Sequence, residues 1–173
     1  MNVSRPTRLD ITTAIGLAVG GAFGLAGTFV GQPSVRQELW AIDAVGLIVA
    51  TALLALKYFR QGDDCIAAGF LVFVAGEALV LSDTAAGLAA SVPSFGAGVA
   101  LWSASLLMTS LPKAFPIWSR LSGIVAAILF AISAGRIFWG EQLLPTGAPL
   151  PSAGYPFLVL ALVGWIVRLL KSA

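Results

Sequence analysis

Histidine is absent from the 173 residues, and cysteine occurs once, as Cys65. Without imidazole the chain has no usual haem axial ligand, no HExxH zinc site and no Ser-His-Asp triad. A single thiol excludes an internal disulfide and a CxxC pair, which leaves Cys65 as a small residue at a helix start. No GxxxxGK[ST] loop, GxGxxG turn after a strand or GxSxG elbow is present, so nucleotide and acyl-transfer sites have no support. The expectation is a non-enzymatic chain with no metal site and no cofactor.

Charge is equally scarce. Asp, Glu, Lys and Arg make up 10% of the residues, against roughly 25% in an ordinary soluble domain. With 58% hydrophobic residues and a mean hydropathy of +0.95, no water-facing surface is available, and residues 1–173 are expected to form a single transmembrane domain. The net charge of +2 does not point to nucleic acid. Its basic residues fall in small groups between apolar runs, a spacing that suits a membrane surface.

What the chain has in quantity is long apolar runs. Crossing a hydrocarbon core of ~30 Å takes about 20 helical residues. Runs bounded by charge, Pro and Gly predict helices over 11–30, 39–59, 65–82, 93–111, 117–139 and 156–170. Arg5 and Arg8 ahead of the first run resemble the start of a signal peptide, but the run exceeds the roughly 7–15 apolar residues of one. An apolar connection over 84–92 and a Pro- and Gly-rich loop from Glu141 to Gly154 remain. The fold class expected is an all-α integral membrane protein, a bundle of six transmembrane helices.

Orientation follows from the basic residues. Arg5, Arg8, Lys57, Arg60, Lys113, Arg120, Arg168 and Lys171 fall on one side, and Arg36 and Arg136 on the other. The positive-inside bias then places both termini in the cytoplasm, N-in and C-in, in a cell membrane of the bacterial inner or plasma type. Aromatic rings favour the interface, so Trp40, Trp102, Trp139 and Tyr155 are expected at the outer helix ends and Tyr58, Trp118 and Trp165 at the inner ones.

Small residues dominate the first helix. Gly16, Gly20 and Gly24 repeat every four residues, as do Gly27 and Gly31. Such spacing lets two helix backbones approach closely, and packing within the chain is preferred here over a dimer interface.

Three ionisable residues fall inside predicted helices, where a central charge costs about 2.5–3.5 kcal/mol. Asp43, Glu77 and Arg136 all sit roughly 6–8 Å below the outer boundary at 1.5 Å rise per residue. Ala75-Gly76-Glu77 and Ala134-Gly135-Arg136 form a short internal echo. The expectation is an intramembrane polar cluster in which Arg136 pairs with Glu77, Asp43 or both, for helix registry or for proton and ion handling. Ser103, Ser105, Thr109 and Ser110 are the densest group of hydroxyls and would line a polar pathway on the fourth helix, if one existed.

Three functions fit these residues. The first is a structural or accessory subunit, packed against lipid and in contact with a membrane partner or with copies of itself. The second is a small channel or transporter for a proton, ion or small solute that uses Glu77, Asp43 and Arg136. The third is an intramembrane enzyme acting on lipid with Asp43 and Glu77. No feature suggests a nucleic-acid partner.

Overall fold

The computed structural model describes residues 6–86 and 92–171, and side chains over the same span except 83–86. Six α-helices follow one another: α1 Arg8–Phe29, α2 Pro33–Gln61, α3 Asp64–Ala86, α4 Val92–Ser110, α5 Ile117–Phe138 and α6 Tyr155–Lys171, the last preceded by a 3-10 turn at Ser152–Gly154. All six segments are long and apolar enough to cross a membrane. The 22 residues of α1 rise about 33 Å, enough for the ~30 Å hydrocarbon core.

Local chemistry sets the helix ends. Thr7 caps α1: its hydroxyl accepts from the Asp10 backbone N–H at 3.2 Å, while the Asp10 carboxylate accepts from the Thr7 N–H at 3.1 Å, a complete capping box. Pro33 opens α2, where its missing N–H costs nothing. This start corrects the sequence expectation of Leu39. Residues 33–38 carry Arg36 and Glu38, polar enough to read as loop, but proline fixes φ for the first turn and the helix simply begins earlier. Gly62 ends α2 in the left-handed conformation (φ 80°), and Asp63 N–H donates to Tyr58 C=O across it at 3.0 Å. Of the connection expected over 84–92, residues 84–86 continue α3. Residues 87–91, like Arg5, lie outside the described residues.

Each helix packs on its neighbours in sequence, and α6 returns to pack on α1, so the six close a ring. The ring axis is filled by aromatic side chains. Phe115, Tyr58 and Phe70 meet near the end where α1 begins, and Phe70 touches Trp165 edge-on with centroids 4.9 Å apart. Trp165 leads to Phe73, Phe73 stacks on Trp102 at 6.0 Å, and Trp102 meets Phe130 and Tyr155. Edge-to-face and offset contacts of this kind each add about 0.5–1.5 kcal/mol beyond burial.

This column corrects the aromatic belts expected from the sequence. Tyr58, Trp102 and Trp165 are buried in the core, because their helical spacing places them on the axis-facing stripe. Trp118 and Trp139 are the exposed ones. The outer surface is apolar instead, with Ile15, Val45, Leu71, Leu121 and Ile128 exposed. Such an exterior is compatible with a multi-pass membrane protein, whose lipid-facing side has no need of charge.

Candidate functional site

The glycine stripe of α1 docks against a complementary stripe on α2. Trp40, Asp43, Leu47 and Ala50 recur at helical spacing on one face, and they run antiparallel past Gly27, Gly24, Gly20 and Gly16. A methyl group on Gly24 would stand 2.5 Å from Oδ2 of Asp43, and one on Gly27 would stand 2.6 Å from the Trp40 ring. The same added carbon on Gly20 would overlap the Leu47 side chain. Close approach therefore requires glycine at these positions, and the stripe is occupied within the chain. Gly31 has nothing within 4 Å, since the helix has ended before it.

On α3 the residues Ile66, Phe70, Phe73 and Glu77 share the axis-facing stripe and all are buried. Glu77 thus continues a row of core residues, at 2% exposure. Gly76 turns a different face to α4, where an added methyl would lie 2.9 Å from both the Gly98 carbonyl and the Trp102 ring. That contact brings the Trp102 indole beside Glu77, yet neither Nε1 of Trp102 nor Oε2 of Glu77 has a hydrogen-bond partner.

Asp43 and Glu77 are close enough for their charges to interact. Oδ1 of Asp43 is also buried without a partner. Measured along its helix, Asp43 lies ten residues, about 15 Å, from the start of α2 at Pro33. It is therefore further from its helix end than the 6–8 Å expected from the shorter helix.

Arg136 stands elsewhere. It makes a two-pronged ion pair with Glu141, Nε to Oε1 at 2.9 Å and Nη2 to Oε2 at 2.6 Å, and both side chains are exposed. The expected pairing with Glu77 or Asp43 is thus replaced by a local one. Gly140, with φ 96°, reverses the chain after α5 and returns Glu141 to the arginine. Gly135 has nothing within 4 Å, whereas Gly76 is tightly packed, so the short echo between the two segments does not extend to their packing. Among the described residues, no Lys or Arg forms an ion pair with Asp43 or Glu77.

Beside Asp43 the ring holds a cavity of about 60 Å³, well above the ~10–15 Å³ that admits one water. Trp40, Phe95, Trp102 and Tyr155 form its walls, and Gly20 and Gly24 border it. Pro145, from the loop after α5, covers it, and Tyr155 Oη donates to the Pro145 carbonyl at 3.1 Å. Trp40, Trp102 and Tyr155 were not identifiable as site residues from hydropathy. The signal that could have found Trp40 is its place on the stripe that answers the glycines.

The hydroxyl group on α4 lies apart from this cavity. Ser103 donates to the Ala127 carbonyl of α5 at 2.8 Å, and Thr109 to the Ser105 carbonyl one turn back at 2.9 Å. Ser110 fills the notch over Gly123, while Oγ of Ser105 is buried without a partner. All four are buried. Ser103 bonds α4 to α5 and Ser110 packs on α5, whereas Thr109 bonds within its own helix, and none of the four lines the cavity.

A further polar contact came from residues that hydropathy passes over. Lys57 pairs with Asp10 at 2.5 Å, tying α2 to the cap of α1. Its signal was present in the Thr7-Arg8-Leu9-Asp10 capping pattern. No protein-family model, curated protein or solved structure matches the chain.

Proposed function

We propose that this chain is a non-enzymatic multi-pass protein of the cell membrane, with both termini cytoplasmic, that binds and carries a small positively charged solute. The observation that supports this most is the pair Asp43 and Glu77, two interior carboxyls with unpartnered oxygens and no cationic side chain paired to them. A structural ion pair needs its partner, and a charge left alone in low dielectric is costly. A proton or a bound cation supplies the missing compensation. The eight-to-two distribution of Lys and Arg supports the orientation.

Liposomes containing the purified protein test the proposal. An imposed proton or cation gradient should drive flux that is lost in Asp43→Asn and reduced in Glu77→Gln. A parent protein that moves none of these solutes would refute the carrier. The alternative, an accessory subunit resting in lipid or against a membrane partner, is favoured by the filled aromatic axis, which makes the ring dense rather than hollow. It predicts that the same two variants fold at least as stably as the parent and change no flux.

A further inference from the structure

The start of α5 crosses the later part of α6 at Ser119. Its hydroxyl donates to the Ala161 carbonyl at 3.2 Å, and Gly164 leaves room for its side chain, which a methyl group at 164 would overlap. The two helices are antiparallel there, so passing onward along α6 means passing back along α5. Arg168 and Lys171 stand four and seven residues beyond Gly164, about 6 and 10 Å along the helix, and Lys113 stands six residues before Ser119. The three cations line one open pocket of about 430 Å³, together with Ala114, Pro116 and Val167.

Helix polarity accounts for part of this group. Cations favour the last turn of a helix, where Arg168 and Lys171 sit in α6, and Arg168 is also near enough to Tyr58 to act on it electrostatically. Lys113 arrives from a different element, the turn between α4 and α5. No Asp or Glu is among the residues that line the pocket, and a concavity of one sign attracts an anion. The surroundings narrow the anion. Ile117 and Leu121 on α5 and Val163 on α6 are exposed, and the Trp118 indole, 42% exposed, lies against Gly164. An indole beside lysines and lipid-facing side chains suits the headgroup layer of a bilayer. A soluble anion would use the basic end alone, whereas a phospholipid uses the apolar helix faces as well.

We propose that this pocket binds the headgroup of an anionic phospholipid of the cytoplasmic leaflet. Lys113, Arg168 and Lys171 hold its phosphate, and an acyl chain lies along Leu121 and Val163. Basic pockets between helices on the cytoplasmic side take such headgroups. The leaflet, though not the site, rests on the cytoplasmic termini proposed above.

The full chain, purified in detergent, is titrated with phosphatidylglycerol, with phosphatidylcholine of the same acyl chains, and with glycerol phosphate. Native mass spectrometry should show phosphatidylglycerol retained saturably, with at least a tenfold preference over phosphatidylcholine, and glycerol phosphate should not displace it. Lys113→Gln with Lys171→Gln should abolish the preference. Arg8→Gln with Arg60→Gln, which removes as much positive charge elsewhere, should leave it intact. All four side chains are exposed, so both double variants should fold.

Equal retention of the two lipids, or an equal loss of preference in the two double variants, overturns the proposal. Displacement by glycerol phosphate overturns the lipid and leaves a site for a soluble anion. Cys65, exposed at the start of α3, reports the side of the membrane without an added thiol. Its labelling by an impermeant maleimide from outside intact cells would overturn the cytoplasmic termini and the leaflet, while lipid retention in detergent would still stand.

Discussion

The carboxyl of Asp43 rests against the bare Cα of Gly24, so that a single methyl group at residue 24 would stand 2.5 Å from Oδ2. The contact joins the stripe that holds α1 to α2 with the acid that borders the cavity. Gly24→Ala should therefore destabilise the protein, despite the ~1 kcal/mol by which alanine is the better helix former. Gly135→Ala, in α5 with nothing within 4 Å, should instead stabilise it by about 0.5–1 kcal/mol. Thermal unfolding in detergent distinguishes the two, and equal shifts would mean that the α1–α2 contact is looser than described.

Arg136→Gln should leave the melting temperature unchanged. Its ion pair with Glu141 is solvent-exposed on both sides, and exposed pairs contribute little. A large loss of stability would return Arg136 to the interior pairing that its sequence position suggested.

Lys57→Met should cost about 1–3 kcal/mol, the usual penalty when a buried hydrogen-bonded group loses its partner. Asp10 is 7% exposed and holds the α1 cap as well as the lysine. The check is a double-mutant cycle with Asp10→Asn. If the two losses simply add, the pair is not coupled.

Phe130→Ala should cost about 3–5 kcal/mol, as truncations of buried aromatics do. Its ring meets Trp102 and Tyr155 and lies 2.6 Å from where a Gly154 side chain would begin. The same substitution should also loosen the loop over the cavity, seen as faster proteolysis within 141–151. An unchanged cleavage rate would separate the loop from the column.

The helices were legible because a span needs an apolar run of fixed length, and composition alone reports that. Their ends were less so: proline at N1 started α2 six residues ahead of the hydrophobic run. Asp43 consequently lies further from the start of its helix than the shorter helix implied. Asp43 and Glu77 stood out because charge is conspicuous among apolar residues, and their mutual proximity fits that signal. Arg136 was misassigned for a local reason, since a glycine turn brings Glu141 back to it and a hydropathy profile has no term for a turn. The rings of Trp102 and Trp165 were misplaced because interfacial preference and core packing make opposite demands on the same residue. Which demand prevails depends on the face of the helix, and that is fixed only when the ring of helices closes.

That closure falls to α6, the last of the six to be synthesised. It supplies Trp165 to Phe70 and Phe73, and Leu158, Val159 and Leu162 to the wall of the cavity. Asp43 on α2 and Glu77 on α3 belong to helices that pack on each other directly, so their meeting does not depend on α6, whereas the closing of the cavity does. The last helix thus completes the cavity rather than the pair of acids.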